Sequence, residues 1–483
     1  MNTREIASNV SRRHLLVAST VGLAGYRFGS PGLVTASAVD PRADSATAEV
    51  TGGRAKSTIL FFLCGGSSHI DMWDLKPNAP REYRGEFSPI VTRSPGLSIS
   101  EHLPRLARVG HHLAVVRSIR GTVNTNDHHA GYYYNLTGHV PDPTFLTLGN
   151  DRRPMPDDWP YMGTVVGSRR PRHPDLPNAV SLPIKPSKLP YTRPGQFAAR
   201  LGVEHDPLYV LADRDKPMVF QAPALSLEGD GMSADRLLAR DRMLESIDSA
   251  RRDFETVSKV RTWSKLQDQA MRLLSGGGAT KAFDLSSESP ATIERYGKTI
   301  NGMSLLVARR LVEAGVPFVT VFWAENDEKI DKKCKSGGGW DTHGNNFACL
   351  KEDLLPEFDR GFSALIEDLE HRGMLDETLL VVTSEMGRKP RVGDPRSGGE
   401  YGAGRDHWTH CQSVVLAGGG IQGGQAFGTT DKYGEYPAEK PVTPAHIAQT
   451  VYHAMGIRNL EATDKDGRTF NLLAEGRPLT ELF

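Results

Sequence analysis

Five continuous apolar runs limit what this chain can become more than any other feature. They are Ile59-Leu60-Phe61-Phe62-Leu63, Leu113-Ala114-Val115-Val116, and the runs at 316–322, 379–383 and 413–417. A strand with one wet face alternates apolar and polar residues, whereas an unbroken run needs apolar cover on both faces. Segments of helical period alternate with these runs, at about 127–137, 301–314, 351–371 and 444–455. Strand, helix, strand at this spacing predicts an α/β fold, with a mostly parallel central sheet sandwiched by helices.

With 483 residues and 38% hydrophobic content, the chain can bury a large core. Lys plus Arg (58) equal Asp plus Glu (58), and no basic stripe interleaves with aromatics, which argues against nucleic-acid binding and towards small-molecule chemistry. The first forty residues differ from the rest. A polar start reaches Ser11-Arg12-Arg13-His14, a weakly apolar run follows from Leu15 to Gly25, and small residues end at Ala36-Ser37-Ala38. That order predicts a twin-arginine export signal over 1–38, cleaved after Ala38, and hence a periplasmic or secreted protein. The apolar run is well short of the ~20 residues that span a bilayer, so no membrane span is expected. A linker at about 39–56 then leads into one domain over 57–483. Within it, Leu237, Leu238, Leu244, Ile247, Phe254, Val257, Val260, Trp263 and Leu266 recur at helical spacing, which predicts a helical insertion at about 183–300. The four cysteines (Cys64, Cys334, Cys349, Cys411) lack paired Cys-x-x-Cys spacing; lone buried thiols are the default expectation, although export permits a disulfide.

In open α/β sheets ligands bind at the carboxyl ends of the strands. The first run is followed by Gly65-Gly66-Ser67-Ser68-His69-Ile70-Asp71, and the run at 316–322 leads through a polar loop to Trp340-Asp341-Thr342-His343-Gly344. The run at 379–383 is followed by Ser384-Glu385-Met386-Gly387-Arg388, and Gly404-Arg405-Asp406-His407-Trp408 precedes the last run. Each phrase alone has a plain structural reading: a glutamate after a strand can cap a helix, and Asn126 or Asp127 can cap the helix at 127–137. Together they bring carboxylates and imidazoles to one sheet edge. Asp71, His69, Asp341, His343, Glu385, Asp406 and His407 are the candidate ligands of a divalent ion, for which zinc, manganese, iron and calcium are the candidates. The glycines around Asp341 and His343 would let both side chains turn inward. Arg388 and Arg405 are candidate forks for an anionic ester.

These phrases, with Ala417-Gly418-Gly419-Gly420, resemble the secreted bacterial family known as domain of unknown function 1501, over nearly the whole mature chain. The resemblance implies an alkaline phosphatase/sulfatase-like fold with a one-metal or two-metal site at the carboxyl edge of the sheet. It makes Asp71 the first-strand acid, Asp341 and His343 a metal-binding pair, Glu385 the acid after a later strand and His407 the late histidine. The chain departs from the superfamily at Glu385-Met386, where Asp-His is usual, and within the family Met386 and Lys389 replace an aromatic and a threonine. The Cys/Ser-x-Pro-x-Arg motif of sulfatases does not occur. The phosphatase nucleophile position would fall among Thr122, Asn124 and Thr125, where either a threonine or a metal-activated water could attack. Two functions are consistent with this pattern: a metal-dependent hydrolase of phosphate or sulfate esters, acting on a small-molecule or glycan ester, and a non-catalytic secreted binding module with a structural metal or none.

Overall fold

The computed structural model describes residues 53–121, 127–171, 173, 176–188, 191–222, 281–324, 327–334, 339–393, 404–464 and 467–483. The predicted export signal, most of the linker, the helical pattern at 237–266 and the three nucleophile candidates Thr122, Asn124 and Thr125 lie outside these residues.

All five apolar runs form strands of one eight-stranded sheet. In chain order its strands are β1 (Ser57–Phe62), β2 (Ala114–Ile119), β3 (Ala179–Leu182), β4 (Leu208–Tyr209), β5 (Phe318–Phe322), β6 (Thr378–Thr383), β7 (Gln412–Ala417) and β8 (Gln425–Phe427). They lie side by side as β8-β2-β7-β6-β1-β5-β3-β4. β1 pairs in parallel with β5 on one side and β6 on the other, and β5, β3 and β4 continue in parallel. β7 alone runs against both its neighbours, β6 and β2. The sheet is therefore mostly parallel, as the unbroken apolar runs require.

The main helices are α1 (His128–Thr137), α2 (Met162–Arg169), α3 (Ile300–Glu313), α4 (Leu355–His371) and α5 (Pro444–Ala454). Asp127 caps α1 by accepting the His129 amide at 2.8 Å, and Thr299 caps α3 by accepting the Gly302 amide at 3.1 Å; each satisfies an amide that the first turn leaves without a partner. Adjacent residues of β1 show that helices cover both faces. Phe61 stacks on Phe358 of α4, and its neighbour Phe62 packs on Tyr132 of α1. Successive side chains of a strand point to opposite faces, so α4 and α1 lie on opposite sides of the sheet. Each such ring, fully buried, stabilises the fold by roughly 1.5–3 kcal/mol.

The helical pattern behind the predicted insertion lies outside the described residues, and the described flanks of 183–300 are mixed: Ser187–Lys188 pairs with Tyr191–Thr192, Leu211–Asp213 pairs with Lys216–Gln221, β4 joins the central sheet, and Pro290–Tyr296 is a short helix. The Asp213 carboxylate accepts the Asp215 amide at 2.8 Å, a local turn bond that reverses the chain and favours a ribbon over a helix. One expectation is corrected: the cysteines are not all lone thiols, since Cys334 and Cys349 form a disulfide, while Cys64 and Cys411 are buried thiols outside it.

Gly131 fixes how closely α1 approaches the end of β6. A methyl group there would lie 2.5 Å from the Glu385 carbonyl oxygen and 2.9 Å from its Cβ. One turn further on, Asn135 donates to the same carbonyl at 3.0 Å. Gly131→Ala should therefore destabilise the protein by about 1–3 kcal/mol, read as a lowered denaturation midpoint, even though alanine favours helix.

Candidate metal centre

The pairing pattern places five separated segments at one sheet edge. β1, β5 and β6 are parallel, so their carboxyl ends coincide. β7 is antiparallel to β6, which puts the residues before it, 404–411, at that same edge. β2 is antiparallel to β7, so the start of α1, which follows it, also arrives there.

Asp341 is the centre of the cluster. Its Oδ1 lies 3.0 Å from His343 Nε2 and 3.0 Å from His407 Nε2, and those two ring nitrogens are 3.2 Å apart. Its Oδ2 lies 3.5 Å from Nε2 of His128, whose Nδ1 is 2.9 Å from Glu385 Oε1. Asp406 accepts the His407 amide at 2.8 Å and stands 3.6 Å from His343 Nδ1, outside hydrogen-bond range. His128, Asp341 and His407 form one set of close donors, and His343, Asp406 and His407 form a second that shares His407.

Five of the predicted residues are thus brought together: Asp341, His343, Asp406 and His407 as direct neighbours, and Glu385 through His128. His128 itself is a ligand candidate that the sequence pattern does not single out. It sits beside the capping residue of α1, and the capping role of Asp127 accounts for that stretch without the ring that follows it. The donor set fits a divalent ion. Two imidazole nitrogens on a tetrahedral zinc, at bond lengths of ~2.0–2.1 Å, are about 3.3 Å apart, close to the separation of His343 and His407.

The remaining predicted residues lie elsewhere or act otherwise. Asp71 is fully engaged by neighbours: Arg405 donates to both its oxygens, Nε to Oδ2 at 2.7 Å and Nη2 to Oδ1 at 2.8 Å, and Ser68 and Asn346 add bonds of 2.6 and 2.9 Å to Oδ2. His69 is held through Nε2 by the Gly434 carbonyl at 2.8 Å, and burial lowers its pKa. Neither reaches the cluster. Arg388 and Arg405 are not open forks; both side chains are fully buried. Arg388 bonds to Asp341 and to the carbonyls of Gly65, Gly66 and Trp340. Arg405 pairs with Asp71 and bonds to the carbonyls of Tyr83 and Pro390.

Charge in the metal-free cluster is held by His128. Burial opposes a charged ring there, but the hydrogen bonds to Asp341 and Glu385 outweigh it and push the pKa up to about 9. Burial likewise opposes charge on Asp341, yet Arg388 and the surrounding imidazoles hold its carboxyl well below the usual range. Glu385 is lowered for the same reason, by His128. His407 is pushed down, mainly by burial, and stays neutral.

The family model described as Protein of unknown function (DUF1501) matches residues 55–483. The chain belongs to that family. No curated protein matches it. Among solved structures it is similar to the protein Ps i-CgsB in its complex with k-i-k-neocarrahexaose, at 11% identity and a TM-score of 0.39, covering 87% of this chain and 74% of that one. A sulfatase from Pseudoalteromonas sp. gives 12% identity and a TM-score of 0.38, covering 83% and 68%. A phosphonate monoester hydrolase from Silicibacter pomeroyi gives 12% and 0.36, covering 88% and 76%. Scores this low carry no site residue over from one chain to another.

Two tests follow from the site's electrostatics. A histidine with a raised pKa contributes stability that is full below its ordinary 6.5 and lost as pH rises through about 9. Asp341 and Glu385 contribute above the ordinary carboxylate range and lose that contribution in acid, as pH falls through their lowered values. His407, lowered by burial, loses its own contribution as pH falls below the ordinary 6.5, so metal-free protein should be most stable near about pH 6.5 and weaken both in acid and towards pH 9. His128→Gln should flatten the alkaline limb, which is worth on the order of 3 kcal/mol, in chemical denaturation at a series of pH values. Arg405→Ala, in contrast, should cost about 3–5 kcal/mol of stability at neutral pH, the scale for stranding one partner of a buried pair.

Proposed function

We propose that this chain is an exported, metal-dependent hydrolase of phosphate or sulfate esters, with a glycan or other extracytoplasmic ester as substrate. The observation that carries the reading is the meeting of His343 Nε2, His407 Nε2 and Asp341 Oδ1 within 3.2 Å of one another, with His128 at the other carboxylate oxygen. Neutral imidazoles with a carboxylate suit zinc or manganese, and neither His343 nor His407 needs large rearrangement to bind one. Such an ion, when bound, acts as a Lewis acid towards an ester oxygen and makes water nucleophilic near neutral pH.

The chain's own groups would then divide the work. Asp341, His343 and His407 hold the ion, with His128 Nε2 as a further donor. Glu385 accepts the Nδ1 proton of His128, which leaves Nε2 with its lone pair towards the centre. Asp406 fixes the backbone of His407. Because Arg388 and Arg405 are engaged within the protein, neither is available to meet the charge of the ester, and a bound ion would supply that countercharge. That same engagement favours a second reading, a non-catalytic binding module on the same fold.

Export is supported by the sequence Ser11-Arg12-Arg13 with its following apolar and small-residue segments, and by a disulfide, which persists in oxidising compartments. Among the described residues no helix is long and apolar enough to cross a membrane.

Elemental analysis of the folded protein should find roughly one or two divalent ions per chain, lost in Asp341→Ala and His407→Ala. Against a panel of aryl and sugar phosphates and sulfates, kcat/KM should fall more than about 100-fold in Asp341→Ala, the scale of removing an electrostatic anchor. A wild-type protein that takes up no metal after reconstitution would overturn the metal reading. Stoichiometric metal with no turnover across the panel would leave the binding module.

A further inference from the structure

We propose that Cys334 and Cys349 are positioning residues for the metal centre: their disulfide closes the loop that carries Asp341 and His343 and so holds the ion in place. This inference rests on the metal reading above. The two cysteines end short helices, Glu328–Cys334 and Asn346–Cys349. Their Cα atoms are 6.0 Å apart across a sequence separation of 15. Both predicted ligands of this loop lie inside the covalent ring.

Hydrogen bonds align with the bridge. The Gly344 amide donates to the Cys334 carbonyl at 2.8 Å, Asn345 Nδ2 donates to the Lys333 carbonyl at 2.6 Å, and the Cys349 amide donates to the Asn345 carbonyl at 2.9 Å. The loop is thus pinched shut immediately after His343. At the pinch, Asn345 has φ of 50°, a left-handed turn conformation that asparagine accommodates more readily than other non-glycine residues. Its neighbour Asn346 accepts from the Thr342 hydroxyl at 2.6 Å and donates to Asp71 at 2.9 Å, so the closed foot of the loop is also tied to the buried Asp71–Arg405 pair. For an ion to leave, Asp341 and His343 must separate from His407. Covalent closure removes the loop openings that would let them do so.

Both cysteines are fully buried. Reduction by a dithiol would convert the cystine to two thiols, with two electrons and two protons supplied by the dithiol as it closes its own disulfide. The test is the rate at which zinc-loaded protein loses its ion to excess EDTA. Wild type is compared with the Cys334→Ser, Cys349→Ser double variant and with Val312→Ala, a core variant in α3. The double variant should release zinc about 10- to 100-fold faster, the range for removing a support of a metal ligand, and Val312→Ala should release it at the wild-type rate. Equal rates for wild type and the double variant would overturn this inference, as would an equal acceleration in Val312→Ala, which would reduce the effect to general loss of stability. If the double variant does not fold, wild type is reduced with dithiothreitol, freed of it by gel filtration and loaded with zinc, with reduction confirmed by thiol titration in denaturant and the fold by circular dichroism. Faster release from the reduced, folded protein then supports the inference, and an unchanged rate overturns it. A wild type that holds no zinc would overturn the metal reading and this inference with it, whereas a loaded wild type with unchanged release would overturn this inference alone.

Discussion

One buried guanidinium holds the strand-end loops together. Arg388 donates through Nε to the Gly66 carbonyl at 2.9 Å, through Nη1 to the Arg405 carbonyl at 3.3 Å, and through Nη2 to the carbonyls of Gly65 and Trp340 at 2.7 and 3.1 Å and to Asp341. These acceptors belong to the loop after β1, the loop that carries Asp341 and the segment that leads to β7. Removing a guanidinium from water costs several kcal/mol. The cost is offset because its donors all meet buried carbonyls or a carboxylate, so that the guanidinium keeps hydrogen-bond partners in place of water. The arrangement also explains why so acidic a cluster tolerates burial: a permanent positive charge lies beside Asp341 whatever the protonation of the histidines.

The second constraint is the direction of β7. Had it run parallel to β6, residues 404–411 would have entered the sheet from the opposite edge, with His407 far from Asp341. The reversal brings a segment that precedes its strand to meet segments that follow theirs. Gly404 allows the final approach, since a Cβ there would overlap the His343 carbonyl.

Much of this is legible in the sequence, for a physical reason. Unbroken apolar runs cannot hide in any other environment, so all five become sheet strands, and polar residues at their carboxyl ends can only face the edge. Asp341, His343 and Glu385 follow from that rule, whereas His407 precedes its strand and reaches the edge only because β7 is reversed. Asp71 obeys it too, yet it lies in the one-turn helix His69–Met72, and its helical position turns it to Arg405. The two arginines are legible as charges but not as buried ones, because a sequence does not show which carbonyls a fold leaves without partners. His128 is obscured by the capping role of its neighbour. The disulfide is obscured by spacing that matches no metal or redox motif, and the ribbons at 187–221 by the strong helical period further along the chain.

The central position of β1 sets a clock on synthesis. Ser57, at the start of that strand, donates to the carbonyl of Val316 across 259 residues, and Thr58 contacts Met455 across 397. At a translation rate of ~5–20 residues per second, a gap of the first size corresponds to roughly ten to fifty seconds. Throughout that interval the sequence Ser57–Phe62, buried along its whole length in the finished sheet, is outside the ribosome with neither flanking strand yet made. A cell that produces this protein must therefore keep a strand destined for full burial from wrong pairings for about half of the time the chain takes to be built.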